Sequence, residues 1–116
     1  MAMTAATGEY SPPGSPAGTA ALFHALAEPS RLAILEHLFL GEHRVVDLVA
    51  HLGLAQSTVS QHLACLRDCG LVTSRAQGRS SHYSLTDPER VRVLLADAAA
   101  LLAATGGVAV GHDERH

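Results

Sequence analysis

A chain of 116 residues suffices for one domain with a modest core. Hydrophobic residues make up 47% of it but aromatic residues only 3%, so the core must come from Leu, Val and Ala, which favours closely packed helices. A net charge of -3 argues against a general nucleic-acid coat, no apolar stretch is long enough for a bilayer, and no basic residue precedes an apolar run as a signal peptide requires. Two cysteines without such a signal point to a reducing cytoplasm and away from a structural disulfide.

Residues 1–18 are rich in Ala, Thr, Ser, Gly and Pro and read as a disordered N-terminal arm. Residues 20–27 (AALFHALA) read as a first helix. Pro29 is well placed to open the next, whose apolar stripe is Leu32, Ile34, Leu35 and Leu38 and which stops by Gly41. Val45, Val46, Leu48, Val49 and Leu52 then recur at helical spacing up to Gly53, a residue suited to a left-handed cap. After the bridge Leu54-Ala55, a further helix carries Val59, Leu63 and Leu66 on one stripe. Two short helices joined by so tight a turn read as a helix-turn-helix.

At about 100° per residue, Ser57, Thr58, Ser60 and Gln61 turn away from that stripe, and Gln56 lies in the exposed first turn. Their uncharged side chains offer donors and acceptors to base edges and phosphates, where an ordinary solvated helix more often carries Glu and Lys. His62 reads as a further phosphate or base contact, although its place near Cys65 also makes it a candidate ligand. Ala55 is a poor N-cap for this helix. Charge follows the same division. Residues 54–84 hold Arg67, Arg75 and Arg79 against Asp68, a net +2, while residues 1–53 carry -3 and residues 85–116 carry -2. The chain has no lysine, so cationic contacts must come from arginine, protonated histidine or a helix N-terminus. A dimer would double them and make binding steeply salt dependent.

From residue 71 a β-prone stretch (LVT) begins, residues 75–79 (RAQGR) give a glycine-centred turn, and residues 81–85 (SHYSL) return as a hairpin. The fold class is therefore mainly α with a small β-hairpin wing, a winged helix-turn-helix. Arg75, Arg79 and the neighbouring Ser80 would reach phosphates or an adjacent minor groove. Asp87-Pro88 opens a last helix, about 88–104, with Val91, Leu94, Leu95, Ala98, Leu101 and Leu102 on one broad face. That face needs cover, from a two-fold partner or from the first helix; palindromic operators need paired readers, which favours the partner. Residues 19–105 thus form the domain, and residues 106–116 a flexible tail with His112 and His116. There are no internal repeats.

Cys65 and Cys69, four residues apart, lie on one helical face with roughly 6 Å between Cβ atoms. Two thiolates so placed chelate one ion at bond lengths of about 2.3 Å, and they supply half of a tetrahedral shell. Being soft, they prefer Cd(II), Pb(II), Zn(II) or Cu(I) to Mg(II) or Ca(II). The same two side chains would also serve as small buried hydrophobes. His24, His37, His43, His51 and His82 are scattered and read as surface or packing residues. An ion held at the rear of a helix whose front reads DNA would tilt or pin that helix.

The segments ALAEPSRLAIL, LVAHLGLAQSTVSQHLACLRDCGLV and GRSSHYSL together resemble the ArsR/SmtB family of winged-helix transcriptional repressors, from about Leu22 to the final helix. The resemblance implies a homodimer, formed through the first and last helices, that binds operator DNA when free of metal and lets go when metal binds. HLACLRDCGLV is similar to the cadmium- and lead-sensing branch, in which two cysteines of the recognition helix and a third from the C-terminal region hold the ion. Cys65 and Cys69 match the first two. The third has no match, and the tail offers only His112 and His116. Two other metal sites of the family are not matched: residues 44–47 (RVVD) carry no thiol, and the last helix has no histidine beside Asp87, Glu89 and Asp97.

Three switches stay open on the residues alone: release by a thiol-bound divalent metal, oxidation of the neighbouring thiols, and Ni(II) held by histidines and carboxylates. Activation is as compatible with the fold as repression. The chain has no H-E-x-x-H, P-loop, Rossmann glycine pattern or nucleophile elbow, which speaks against an enzyme. A winged helix used only for protein contact would bind an operator and a scrambled duplex alike.

Overall fold

The Ser15 hydroxyl accepts the Gly18 N–H at 3.3 Å and Pro16 takes the first helical position, so the first helix starts earlier than composition suggests. In the computed structural model, which describes residues 15–107, α1 spans Pro16–Leu26. Residues 16–18, assigned from composition to the disordered arm, are therefore helical; the rest of that arm lies outside the described residues, apart from the capping Ser15. Next, Glu28 turns its own carboxylate over the start of α2 (Pro29–Leu38), Oε1 accepting from Ser30 N at 2.7 Å and Arg31 N at 3.1 Å.

A two-residue strand, β1 (His43–Arg44), leads directly into α3 (Val45–Leu52). Asp47 caps that helix by accepting the Arg44 N–H at 2.9 Å, and the Arg44 guanidinium folds back on the same carboxylate at 3.2 Å. Gly53 closes it in the left-handed conformation, φ 70°, as its position in the sequence implied. α4 (Gln56–Asp68) follows, with Ala55 at its N-cap offering no side-chain bond. β2 (Val72–Gln77) and β3 (Ser80–Leu85) form the wing, joined by Gly78-Arg79 with Gly78 at φ 63°, a two-residue loop with glycine at its first position. The sheet runs β1-β3-β2, antiparallel, with His43 opposite Tyr83 and Arg75 opposite His82. The third strand is an addition to the sequence reading.

α2, α3 and α4 pack on one another, and β2 and β3 close the core against α4 and α2. Ile34, Leu35, Leu48, Val59, Leu63 and Leu66 are wholly buried, and Val72 pairs across the strands with Leu85 at the sheet's buried end. Burying a side chain of this size stabilises by about 1.5–3 kcal/mol, so the stripe on α4 anchors the exposed face of the same helix.

The described residues divide into two compact units at Thr86/Asp87. The second is α5 (Pro88–Thr105), which Asp87 starts by accepting the Arg90 N–H at 3.1 Å and Gly106 ends. Val93, Leu101 and Leu102 on α5 are exposed. Among the described residues no helix is long and apolar enough to cross a membrane.

Candidate nucleic-acid interface and thiol pair

With Val59, Leu63 and Leu66 fully inside, the helical repeat leaves Gln56, Ser57, Ser60 and Gln61 exposed and Thr58 half-buried. A cleft of about 320 Å³ opens between the start of α4 and the wing, and its lining includes Gln56, Arg79, Ser80, Arg44 and Tyr83. Five of the polar groups expected at DNA thus line up along α4, and Arg79 with Ser80 flanks them. Arg79 is exposed and carries no ion pair among the described residues. Arg44 and Tyr83 were not singled out from the sequence; their signal is the β1 pairing, which two residues are too short to betray.

Arg75 and His62 depart from expectation. Arg75 is exposed, but both oxygens of Glu42 hold its guanidinium, at 2.8 and 2.9 Å. The guanidinium holds the Glu42 carboxyl below its usual range, and the carboxylate raises Arg75. His62 does not join the exposed row. Its side chain is 15% exposed and turned to the start of α2, with Nδ1 3.2 Å from Arg31 Nη1 and Nε2 3.6 Å from Glu28 Oε1. A guanidinium only donates, so Nδ1 accepts and the ring proton of neutral His62 sits on Nε2, facing the carboxylate. Arg31 also donates to the carbonyls of Ala25 and His24, tying the end of α1 to the middle of α4.

Cys65 and Cys69 stand at the other end of α4, both half-buried and not joined in a disulfide. Cys69 is the C-cap residue, and its thiol donates to the Leu66 carbonyl at 3.5 Å. Burial pushes the Cys69 thiol above its usual range, against the pull of the Leu71 backbone, and the neighbouring Cys65 adds to the rise. Neither cysteine belongs to the fully buried core. As a donor set the pair fits a soft ion but fills half its shell, and among the described residues no third donor completes a cluster. His112 and His116 lie outside the described residues. His37, His43 and His51, read as scattered, come together with ring centroids 5.0 to 6.2 Å apart.

A helix-turn-helix with a paired wing, an exposed polar row on its second helix and a free arginine at the hairpin tip defines a DNA-binding transcriptional regulator. Residues 28–74 match the model for bacterial regulatory proteins of the arsR family. The probable mercury resistance operon repressor of Streptomyces lividans is 42% identical over 108 residues, covering 88% of this chain and 86% of that protein. The chain belongs to the arsR family, whose members are DNA-binding regulators and not enzymes. Among solved structures, the cadmium metal-sensor CmtR from Mycobacterium tuberculosis is similar at 48% identity and TM-score 0.56, over 65% of this chain and 78% of that one. HlyU from Vibrio cholerae is similar at 35% identity and TM-score 0.63, over 71% and 92%.

Proposed function

We propose that the protein is a homodimeric repressor that leaves its operator when a soft divalent ion, Cd(II), Pb(II) or Zn(II), binds Cys65 and Cys69. Gln56, Ser57, Thr58, Ser60 and Gln61 read the major groove, while Arg79 and Ser80 seat the wing on the backbone. Arg75 joins them only when Glu42 releases it. The observation that carries this reading is the division of α4 into two ends. Its first turns point the polar row outward and its far end carries the two half-buried thiols, with the buried stripe of Val59, Leu63 and Leu66 making one rigid piece of both.

Relatives named for mercury resistance and for cadmium sensing support a soft effector, and thiolate is the donor that selects such ions. His112 and His116 are the candidates for the remaining positions. The ion supplies a fixed point at the rear of α4; the helix then carries a change of tilt to Gln56 and Gln61. A coupling of about 1–3 kcal/mol between the two ligands is ordinary for such a device. Val93, Leu101 and Leu102 expose apolar surface on α5 that a second subunit would cover, and on α1 Phe23 is likewise exposed. Thiols left unpaired suit a reducing cytoplasm.

Adding Cd(II) to the reduced protein should produce a thiolate-to-metal absorption band and, in fluorescence anisotropy, release of a promoter duplex. The Cys65→Ser/Cys69→Ser protein should keep the duplex and lose both responses. Metal-driven release that survives the double substitution removes the thiols from the switch.

A further inference from the structure

His37 near the end of α2, His43 in β1 and His51 near the end of α3 are brought together by the fold. Their ring centroids lie 5.0 Å apart for His37–His51, 5.7 Å for His43–His51 and 6.2 Å for His37–His43. Three imidazoles bonded to one tetrahedral ion at about 2.0–2.1 Å have ring centres roughly 5 to 5.5 Å apart. The fold therefore sets these rings close to the spacing a shared ion demands.

Ring orientation is the part still to be met. His37 and His51 are 16° from parallel, His43 stands at 70° and 72° to them, and among the described residues no three donors already converge on one point. His51 is exposed and the other two are half-buried, so the adjustment is a turn about Cβ–Cγ bonds at the surface.

Two features favour a cation at this place. His43 Nδ1 lies 2.8 Å from the Gly41 carbonyl oxygen, which can only accept. Neutral His43 thus carries its proton on Nδ1 and keeps the Nε2 lone pair for a metal, the arrangement by which a backbone carbonyl orients a ligating imidazole. His37 and His51 each occupy the last turn of a helix, where the negative end of the helix dipole attracts positive charge.

We propose that His37, His43 and His51 form a second metal site, separate from the thiol pair, that takes one Zn(II)-like ion of borderline softness with water completing the shell. Imidazole suits such ions, whereas thiolate selects the softer ones, so the two sites would divide metals by chemistry. An ion held there would clasp α2 and β1 to α3, the first helix of the DNA-reading pair.

The test uses full-length Cys65→Ser/Cys69→Ser/His112→Asn/His116→Asn protein, which leaves the thiols and tail imidazoles out of the competition. Zn(II) is titrated with thermal melting and with nitrogen NMR of the histidine rings. Expected are one Zn(II) per chain, a Tm that climbs with Zn(II) concentration, and displaced ring-nitrogen signals of His37, His43 and His51. Adding His43→Asn or His51→Asn should weaken binding roughly tenfold or more, while His24→Asn leaves it unchanged. Melting of the metal-free variants checks their folding, and His51, being exposed, is the safer of the two positions. Zn(II) affinity indifferent to both substitutions, or ring signals that stay in place, overturns the proposal. Either result leaves the thiol reading standing.

Discussion

Glu42 grips Arg75 through both carboxylate oxygens, Oε2 at 2.8 Å from Nε and Oε1 at 2.9 Å from Nη2. One of the two wing arginines is therefore neutralised by the turn before β1, in the bidentate geometry that makes such pairs specific. Replacing Glu42 with Gln keeps the shape and removes the charge. The freed guanidinium should then steepen the plot of log affinity against log salt by about one per subunit and tighten binding to a scrambled duplex. Anisotropy at several salt concentrations measures both.

The same pair fixes a pH dependence. Because Glu42 is held below the usual carboxylate range, the pair is complete above that range and is lost as pH falls through the lowered value. Acidification should thus shift wild-type salt dependence toward that of Glu42→Gln, and the variant itself should show no such shift. An identical acid response in both proteins would assign it to another group.

Arg79 and Gln61 should fail in different ways. Arg79, exposed and without an ion pair among the described residues, sits beside Gln56 and Ser80 in the cleft. Arg79→Ala should weaken all duplexes alike and flatten the salt slope by about one per subunit. Gln61→Ala should leave the slope alone and cost about 1–3 kcal/mol of discrimination between operator and scrambled duplex, if the side chain reads a base edge. A reversed pattern would place the base contacts on the wing.

His62 belongs to the fold's internal bonding. Its ring is pinned between Arg31 and Glu28, and Arg31 also holds the carbonyls at the end of α1. His62→Ala should therefore lower unfolding stability by about 1 kcal/mol, read from urea denaturation, with the salt slope of DNA binding intact. Loss of a unit of slope without loss of stability would return His62 to the DNA face.

The helix pair and the wing were legible because their signals are periodic and local. Val59, Leu63 and Leu66 repeat at helical spacing and are the residues found at zero exposure; Gln56, Ser57, Ser60 and Gln61 fall off that stripe and are exposed. What escaped depends on partners far along the chain. Nothing near Arg75 announces Glu42, and His37, His43 and His51 meet only after α2 and α3 pack. β1 has two residues and so no alternation to read. The start of α1 was hidden differently, since Ser15-Pro16 is a sound cap buried in a stretch whose composition signals disorder.

Gly53 makes the tight joint between α3 and α4. It adopts φ 70°, and a Cβ placed there would meet nothing within 4 Å. Any penalty for a side chain is therefore backbone strain alone, roughly 1–2 kcal/mol for alanine in the left-handed region. Gly53→Asn should cost less, because Asn tolerates that conformation. Denaturant midpoints for the two variants test the order, and equal losses would argue for a steric cause.

The thiols give the last prediction, and its sign follows from burial. Cys69 is raised above the usual thiol range, first by burial and further by the neighbouring Cys65. The folded state thus holds the Cys69 proton to higher pH than the unfolded chain does, so this contribution to the stability of the metal-free protein is complete below the normal thiol range and is lost as pH rises from there through the raised folded value. Binding of a soft ion requires the thiolate and releases that proton, so Cd(II) affinity should climb over the same span. Alkylation of Cys69 by iodoacetamide, followed by mass spectrometry, should be slow at neutral pH and quicken roughly tenfold per pH unit as thiolate forms. Cd(II) should protect the residue at every pH where it binds. Rapid alkylation at neutral pH, unaffected by Cd(II), would mean that Cys69 is a solvent thiol with no part in holding the effector.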